Sequence, residues 1–211
     1  IQRFEQDLAD YYAGIIELKG TSFDVDFENT YFTAEYSKDV EIPDNVISIT
    51  KNGEILAVEK YSVSAEGNKV KVVIPDNHSK VNEYTVAIKS GVASKANTRF
   101  YVDKESSVTF KALKAVSIDT FELVEGTVNI SVSNNMKENN QNYLIIIAAY
   151  DKDNKLVGVR EVKGEMKAGK SIQAALDASA FENGVTVECY LVDTIDNLKY
   201  LDTASAITIA E

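Results

Sequence analysis

Residues 47–58, ISITKNGEILAV, decide the class of fold to which this chain belongs. Ile47 and Ile49 alternate with polar residues, the pair Asn52-Gly53 follows, and a second apolar run begins at Ile55. An Asn-Gly pair between two such runs predicts a β-hairpin, because a type I′ turn requires positive φ at both of its central residues. The chain is therefore expected to contain antiparallel strands.

The same period of two extends along the first half of the chain on both sides of this hairpin. The other predicted strands of this half are Phe23–Phe27, Tyr31–Tyr36, Tyr61–Ser64, Val70–Ile74, Tyr84–Ile88 and Arg99–Val102. Glycine, asparagine and aspartate residues fall between them. Short strands at nearly regular spacing, joined by turns of this kind, predict an all-β sandwich.

The first fifteen residues follow a different period. Their apolar positions recur at three- and four-residue spacing, and polar residues lie between them. The apolar positions are Ile1, Phe4, Leu8, Tyr11, Tyr12 and Ile15. This spacing predicts an amphipathic helix that ends near Gly14. We assign residues 1–15 to a helical segment, which is either the last helix of an upstream domain or a linker that docks on the first sandwich.

The interval Asp103–Ser107 is polar and has no periodicity, and we place a domain boundary there. The first sandwich is predicted over residues 16–103 and the second over 108–211. The predicted strands of the second sandwich are Val108–Ile118, Thr127–Ser133, Tyr143–Tyr150, Leu156–Val162, Ser171–Leu176, Thr186–Val192 and Ala204–Ile209. Seven strands in about a hundred residues is the immunoglobulin-like number. The fold class is therefore all-β, two tandem immunoglobulin-like sandwiches with a short N-terminal helix.

The stretch 143–150, YLIIIAAY, is apolar at almost every position. A strand that is half exposed alternates apolar and polar residues, whereas a strand covered on both faces is apolar throughout. We therefore expect 143–150 to be a central strand, and Asp151–Lys155 to turn the chain into its neighbour.

The charge of the chain limits its partners. The 33 acidic and 22 basic residues give a formal net charge of −11, and neither half carries a basic stripe. Such a chain repels the phosphates of nucleic acid and of anionic membrane surfaces. The longest apolar run, Leu144–Tyr150, is shorter than the ~20 residues of a membrane helix. We expect neither nucleic-acid binding nor membrane insertion.

No pattern in the sequence predicts a catalytic residue or a cofactor. Cys189 is the single cysteine, and alternation along 186–192 makes it a small buried residue rather than a reactive thiol. The single histidine, His78, lies in a turn-like stretch, and no GxSxG elbow or glycine-rich phosphate loop occurs. The chain is therefore not expected to be an enzyme.

No acidic cluster predicts a metal site. Counting from Asp151, the glycine and glutamate that an EF-hand loop requires are replaced by Leu156 and Val162. Asp24, Asp26 and Glu28 alternate along one strand face and could flank a cation, and Asp193 and Asp196 near a strand end are a second candidate for calcium. Rows of this kind are usually the solvated side of a sheet or part of a turn.

The first half resembles the bacterial immunoglobulin-like domains of surface-layer proteins. The resemblance rests on Phe27–Val40, Val70–Pro75 and Glu83–Val92. It implies that Tyr84 is a corner tyrosine, whose hydroxyl ties back to the backbone.

The second half resembles the accessory sandwich domain of secreted polysaccharide-degrading enzymes and surface proteins of Gram-positive bacteria. The residues that carry this resemblance are Asn134-Asn135, Leu144–Asp151, Asn154–Val157, Ala168-Gly169, Val187–Asp193 and Leu198. Many members have a tryptophan before the aspartate of the late strand, and Val192 stands there in this chain. The resemblance implies an extracellular or cell-surface location and the role of either a spacer or a module of unknown binding.

The chain begins at Ile1, and we interpret it as a piece of a larger protein. The predicted function is a pair of structural modules whose partners are neighbouring domains of that protein. The alternative is a carbohydrate-binding module of a polysaccharide-degrading enzyme, because sugars pack on exposed aromatic rings. The chain has 11 tyrosines and no tryptophan. The tyrosines predicted to be partly exposed, and so the candidates for contact with a polysaccharide, are Tyr31, Tyr36, Tyr61 and Tyr200. The competing interpretation of each, which we favour, is a half-buried tyrosine of a strand.

Overall fold

A computed structural model describes residues 2–76, 78, 80–181 and 185–209. The chain divides into two compact units, Ile1–Lys114 and Ala115–Glu211. All strand pairs in both units are antiparallel within the described residues. The predicted fold class, all-β immunoglobulin-like sandwiches with one short N-terminal helix, is confirmed.

The described residues of the first unit form one helix and eleven strands. They are α1 (Gln2–Gly14), β1 (Leu18–Val25), β2 (Asn29–Tyr36), β3 (Val40–Glu41), β4 (Ile47–Lys51), β5 (Glu54–Ile55), β6 (Ser62–Glu66), β7 (Lys69–Pro75), β8 (Asn82–Ile88), β9 (Ala93–Ser94), β10 (Asn97–Tyr101) and β11 (Ser106–Ala112). The strand orders of its three sheets are β1-β2-β7-β6, β11-β8-β4-β5 and β10-β9-β3. A single 3₁₀ turn, Val58–Lys60, follows β5.

Alternation along the strands builds the core of this unit. One buried cluster contains alternate residues of two neighbouring strands. They include Phe32 and Ala34 of β2 and Val70 and Val72 of β7. The same cluster contains buried residues of β4, β8 and β11. Two four-stranded sheets therefore share one apolar layer, as the sandwich prediction requires.

The hairpin predicted at Asn52-Gly53 is present. Thr50 pairs with Ile55 and Lys51 pairs with Glu54. Asn52 has φ of 53° and Gly53 has φ of 86°. Positive φ at both central residues is the property for which an Asn-Gly pair is selected in a type I′ turn.

Eight strands form the second unit over the residues that the structure describes. They are β12 (Val116–Val124), β13 (Thr127–Asn134), β14 (Gln141–Tyr150), β15 (Leu156–Met166), β16 (Ser171–Asp177), β17 (Thr186–Val192), β18 (Tyr200–Thr203) and β19 (Ile207–Thr208). One sheet has the order β12-β13-β16. The other has the order β15-β14-β17-β18, and β19 also pairs with β17. A 3₁₀ turn, Ala178–Ala180, follows β16.

Strand β14 occupies the central position predicted for residues 143–150, between β15 and β17. Ile145 and Ile147 are fully buried on one face. Leu144 and Ala148 are buried on the other face, where Ile146 is only half-buried. Both faces of the strand are therefore largely covered.

The structure divides the chain later than the polar interval predicted. Ser106–Ala112 pairs with Asn82–Ile88 along its whole length and closes a sheet of the first unit. The ring of Phe110 stacks on that of Phe23 with 4.6 Å between centroids. The predicted strand 108–118 is thus two strands, β11 and β12, in different units. Alternation locates a strand in the sequence, but it does not identify the sheet that the strand joins.

Helix α1 is the predicted N-terminal helix, although Ile1 lies outside the described residues. The ring of Tyr11 meets that of Phe100 edge to face, with 5.9 Å between centroids. A side chain at Gly14 would overlap the same ring of Phe100. Phe4 and Tyr12 remain more than 60% exposed.

A buried carboxylate organises one end of the first unit. Asp76 is 7% exposed, and its Oδ2 atom accepts hydrogen bonds from the Tyr84 hydroxyl at 2.6 Å and the Asn82 amide at 2.8 Å. Its Oδ1 accepts from the His78 backbone at 3.2 Å, and Lys51 Nζ lies 3.4 Å from Oδ2. The hydroxyl of Tyr84 therefore binds a carboxylate, and the predicted tie to the backbone is wrong.

These contacts decide the charge of Asp76. Burial alone raises the pKa of this carboxyl group, since it disfavours the ionised form. Hydrogen bonds from Tyr84, Asn82 and His78, together with the charge of Lys51, outweigh burial, and the pKa lies below its usual value. The group is an anion at neutral pH.

The position of β11 predicts how the chain can be shortened. A fragment 1–114 should unfold cooperatively in urea, whereas a fragment 1–104 should not, because it lacks the buried residues Phe110 and Ala112 and leaves β8 without a neighbour on one edge. Circular dichroism and tryptic digestion of both fragments measure this. Cooperative unfolding of 1–104 would contradict the assignment of β11 to the first unit.

The Asp76 contacts predict an uneven effect of two matched substitutions. Tyr84→Phe should lower the free energy of unfolding by about 1–3 kcal/mol, because a buried carboxylate loses a donor. Tyr31→Phe removes a similar 2.6 Å bond to Asp26, but at a half-buried position, and should cost less than about 1 kcal/mol. Urea denaturation of both variants is the measurement. Equal losses would show that burial of Asp76 is not the deciding factor.

The lowered pKa of Asp76 predicts a pH dependence. Its folded-state pKa lies below the unfolded value of about 3.9, so its stabilisation is complete above the unfolded pKa and is lost as pH falls through the folded pKa. The stability difference between the wild type and Asp76→Asn should therefore be constant from pH 7 to 5 and shrink below pH 4. Urea titrations at pH 7, 5 and 3.5 test this. A difference that is as large at pH 3.5 as at pH 5 refutes it.

Candidate functional site

The four tyrosines predicted to contact a polysaccharide do not lie together. Tyr31, Tyr36 and Tyr61 belong to the first unit, and Tyr200 belongs to the second. The hydroxyl of Tyr31 donates to Asp26 at 2.6 Å, and that of Tyr61 donates to the Ile47 carbonyl at 3.1 Å. Both rings are half-buried.

Tyr36 is buried, with 2% of its surface exposed, and its predicted partial exposure is wrong. It has the same parity in β2 as Phe32 and Ala34, which both face the core. Burial raises the pKa of its hydroxyl to about 12. A ring in this position cannot present a face to a sugar.

Tyr61 lines a shallow depression of about 480 Å³. Its apolar walls include Ile42, Pro43, Val58 and Val63. The hydroxyl of Tyr61 donates to the Ile47 carbonyl, and this hydrogen bond holds the ring in place as part of the wall. No other tyrosine lines this depression within the described residues.

Tyr200 is 59% exposed and lies on a surface with two other tyrosines. We call the outward side of β14, β17 and β18, which carries Tyr150, Glu188, Tyr190 and Tyr200, the tyrosine face. The opposite side of the same strands is the core side.

The strand register places these residues on one side of the sheet. Ile147 faces Cys189 on the core side, and both are fully buried. One residue along, Ile146 is paired with Tyr190 on the outward side. Tyr200 is paired with Val192, two positions after Tyr190 in β17, across a register irregularity between Leu191 and Val192.

Three polar groups converge within this face. The hydroxyl of Tyr190 donates to a carboxylate oxygen of Glu188 and also contacts the hydroxyl of Tyr150. The bond to Glu188, followed by the contact with Tyr150, raises the pKa of Tyr190 well above its ordinary value. The hydroxyl of Tyr190 is therefore neutral at neutral pH and donates a hydrogen bond, which the Glu188 carboxylate accepts.

The arrangement is suited to binding rather than to chemistry. Aromatic rings beside Ile146 provide an apolar surface, and Glu188 provides an acceptor at its edge. Tyr190 and Glu188 satisfy each other, so neither is placed as a free acid or base.

Sequence reasoning did not identify Tyr150, Glu188 and Tyr190. The signal was present in β17, because Cys189 was predicted to be buried and alternation then puts Glu188 and Tyr190 on the other face. Which other tyrosines share that face depends on the pairing of β14 with β17 and of β17 with β18. The sequence does not specify that pairing.

The structure places Cys189 as the sequence predicted. Its side chain is fully buried, and burial, followed by the charge of Asp202, raises the pKa of its thiol to about 12. A thiol with this pKa carries almost no thiolate at neutral pH.

The acidic clusters have local partners. Asp151 Oδ1 accepts from the backbone of Asp153 and Lys155, which fixes the predicted turn. Asp193 accepts from the backbone of Thr194 and Lys199. In the part of the chain that the structure describes, no three His, Cys, Asp or Glu side chains are grouped to hold a metal ion. Those residues also include no helix with the length and apolar character of a membrane span.

Comparison with known proteins gives only distant similarity. No family model and no curated protein matches the chain. Among solved structures, native alpha-2-macroglobulin from Escherichia coli matches 92% of this chain and 71% of its own, with 12% identity and a TM-score of 0.37. A Bacteroides uniformis beta-glucuronidase matches 87% of this chain and 26% of its own, with 12% identity and a TM-score of 0.33. Dimeric latent PorU from Porphyromonas gingivalis matches 93% of this chain and 20% of its own, with 12% identity and a TM-score of 0.32.

Proposed function

We propose that this chain is a pair of structural modules that space or orient neighbouring domains of a larger secreted or cell-surface bacterial protein. The observation that carries the proposal is the connection between the units. Strand β11 ends at Ala112 and β12 begins at Val116, so three residues, 113–115, join two complete sandwiches. Each unit has its own buried apolar residues and its own sheets. Two modules that each have their own core and follow one another after so short a connection suit a spacer.

The surface supports the same role. The net charge of −11 favours solubility and discourages self-association of the whole surface. The acidic groups described above accept hydrogen bonds from the backbone of turns and from neighbouring side chains. A hydrated acidic surface around rigid cores suits a module that holds other domains apart.

A second function, carbohydrate binding, is favoured by one specific observation. Tyr150, Tyr190 and Tyr200 share the outward face of three adjacent strands. Clustering of tyrosines on one face is the feature that distinguishes a binding module from a spacer. Because the chain is acidic, its ligand would be a neutral polysaccharide rather than an acidic one such as pectin.

The spacer proposal predicts inactivity in two assays. The purified chain should show no hydrolase or lyase activity on xylan, glucan, mannan or pectin. It should also migrate equally in native gels with and without each polysaccharide, and titration calorimetry at high ligand concentration should detect no heat of binding, since millimolar affinity (about 4 kcal/mol) escapes a gel.

A matched pair of variants decides between the two functions. Tyr200 and Tyr101 are similarly exposed, at 59% and 54%, but only Tyr200 belongs to the tyrosine face. Retardation by one neutral polysaccharide that Tyr200→Ala abolishes and Tyr101→Ala preserves would establish the binding module and refute the spacer proposal. Retardation that both variants preserve would refute the tyrosine face as its origin.

A further inference from the structure

Strand β15 is a long edge strand. Its 11 residues, Leu156–Met166, pair with β14 along one side, and no other strand pairs with it within the described residues. Eight of the 11 residues are exposed, so both faces of the strand are open to solvent. An unpaired edge presents backbone donors and acceptors to another strand, although in β15 the Val159 carbonyl already accepts a hydrogen bond from the Arg160 guanidinium at 2.9 Å.

The side chains of β15 divide into an apolar and a charged part. Leu156, Val157 and Val159 are 51%, 44% and 46% exposed. The remainder carries Arg160, Glu161, Lys163 and Glu165. Two bases and two acids make this strand locally neutral, although the whole chain has a net charge of −11. The edge can therefore approach an identical edge without the repulsion that the rest of the surface imposes.

The regular part of the strand is symmetric about one residue. The ladder with β14 is uninterrupted from Gly158 to Met166, and the irregularity lies beyond Gly158. Val162 is the midpoint of this nine-residue run. An antiparallel pair of identical strands about a two-fold axis at Val162 would use the whole run.

We propose that two copies of this chain associate through β15, with Val162 at the two-fold axis, to form one continuous antiparallel sheet. Residues opposite each other then have numbers that add to 324. Glu161 of each copy faces Lys163 of the other, so the axis is surrounded by two acids and two bases of alternating sign. Val159 faces Glu165, whose aliphatic stem covers it.

Neighbouring registers are less favourable because they oppose like charges. An axis at Arg160, Glu161 or Lys163 places that residue opposite its own copy, and like charges directly opposite are destabilising. An axis at Gly164 also pairs opposite charges, but it uses only the five residues from Val162 to Met166. Of these registers, the one centred on Val162 both pairs opposite charges and uses all nine residues of the regular run.

Cysteine cross-linking tests the axis. In the proposed register the two Val162 side chains are direct neighbours, with Cβ atoms about 5 Å apart, whereas the two Val159 side chains are about 20 Å apart along the strand. Val162→Cys should cross-link with a short bis-maleimide at least about tenfold faster than Val159→Cys, although Val159 is the more exposed control. Cys189 is buried and contributes no background. Equal or faster cross-linking at 159 would overturn the proposal.

Charge exchange tests the register without a new thiol. Glu161→Lys or Lys163→Glu alone opposes like charges twice and should weaken dimerisation at least about tenfold in sedimentation velocity. The double variant E161K/K163E restores opposite charges and should restore the dimer. It would not do so in the register centred on Gly164, where residues 161 and 167 would both be lysine. A monomeric wild type up to millimolar concentration, or single variants that dimerise like the wild type, would refute the proposal; circular dichroism confirms that each variant is folded.

Discussion

Strands such as β2, β7 and β8 have to place every second side chain in a layer between two sheets. This constraint determines the register, because a shift by one residue would move Phe32 and Ala34 of β2 to the solvent and bring Tyr31 and Thr33 inside. It also determines which polar groups become buried at strand ends. Asp76 follows directly after β7, and its burial is acceptable because Tyr84, Asn82 and Lys51 approach it from other strands.

Features that depend on neighbouring residues in sequence were predictable. The Asn52-Gly53 turn, the burial of Cys189 and the central position of β14 follow from local composition and alternation, and the structure has all three. The same alternation was sufficient to place Tyr36 in the core, since it continues the parity of Phe32. Its predicted exposure overlooked a signal that the sequence contained.

Features that depend on which strands meet were not predictable. Residues 106–112 look the same in sequence whether they begin a second sandwich or complete the first. Their pairing with Asn82–Ile88 depends on the topology of the sheet and on tertiary contacts such as the stacking of Phe110 on Phe23. The tyrosine face has the same origin: its members come from β14, β17 and β18, which are neighbours in the sheet although β15 and β16 separate β14 from β17 along the chain. The contact of Tyr84 with Asp76 likewise joins residues on separate strands.

The late position of β11 has a consequence for how the chain folds as it is made. The first unit cannot complete the sheet that contains β8 until Ala112 has been synthesised, because β11 is the last of its strands in chain order. Until then the edge of β8 is unpaired and the ring of Phe23 lacks its stacking partner. The nascent chain therefore exposes an unpaired strand edge from the time β8 has been made until β11 follows it. A slow codon or a pause shortly before β11 would prolong that exposure, whereas a pause after β12 would not.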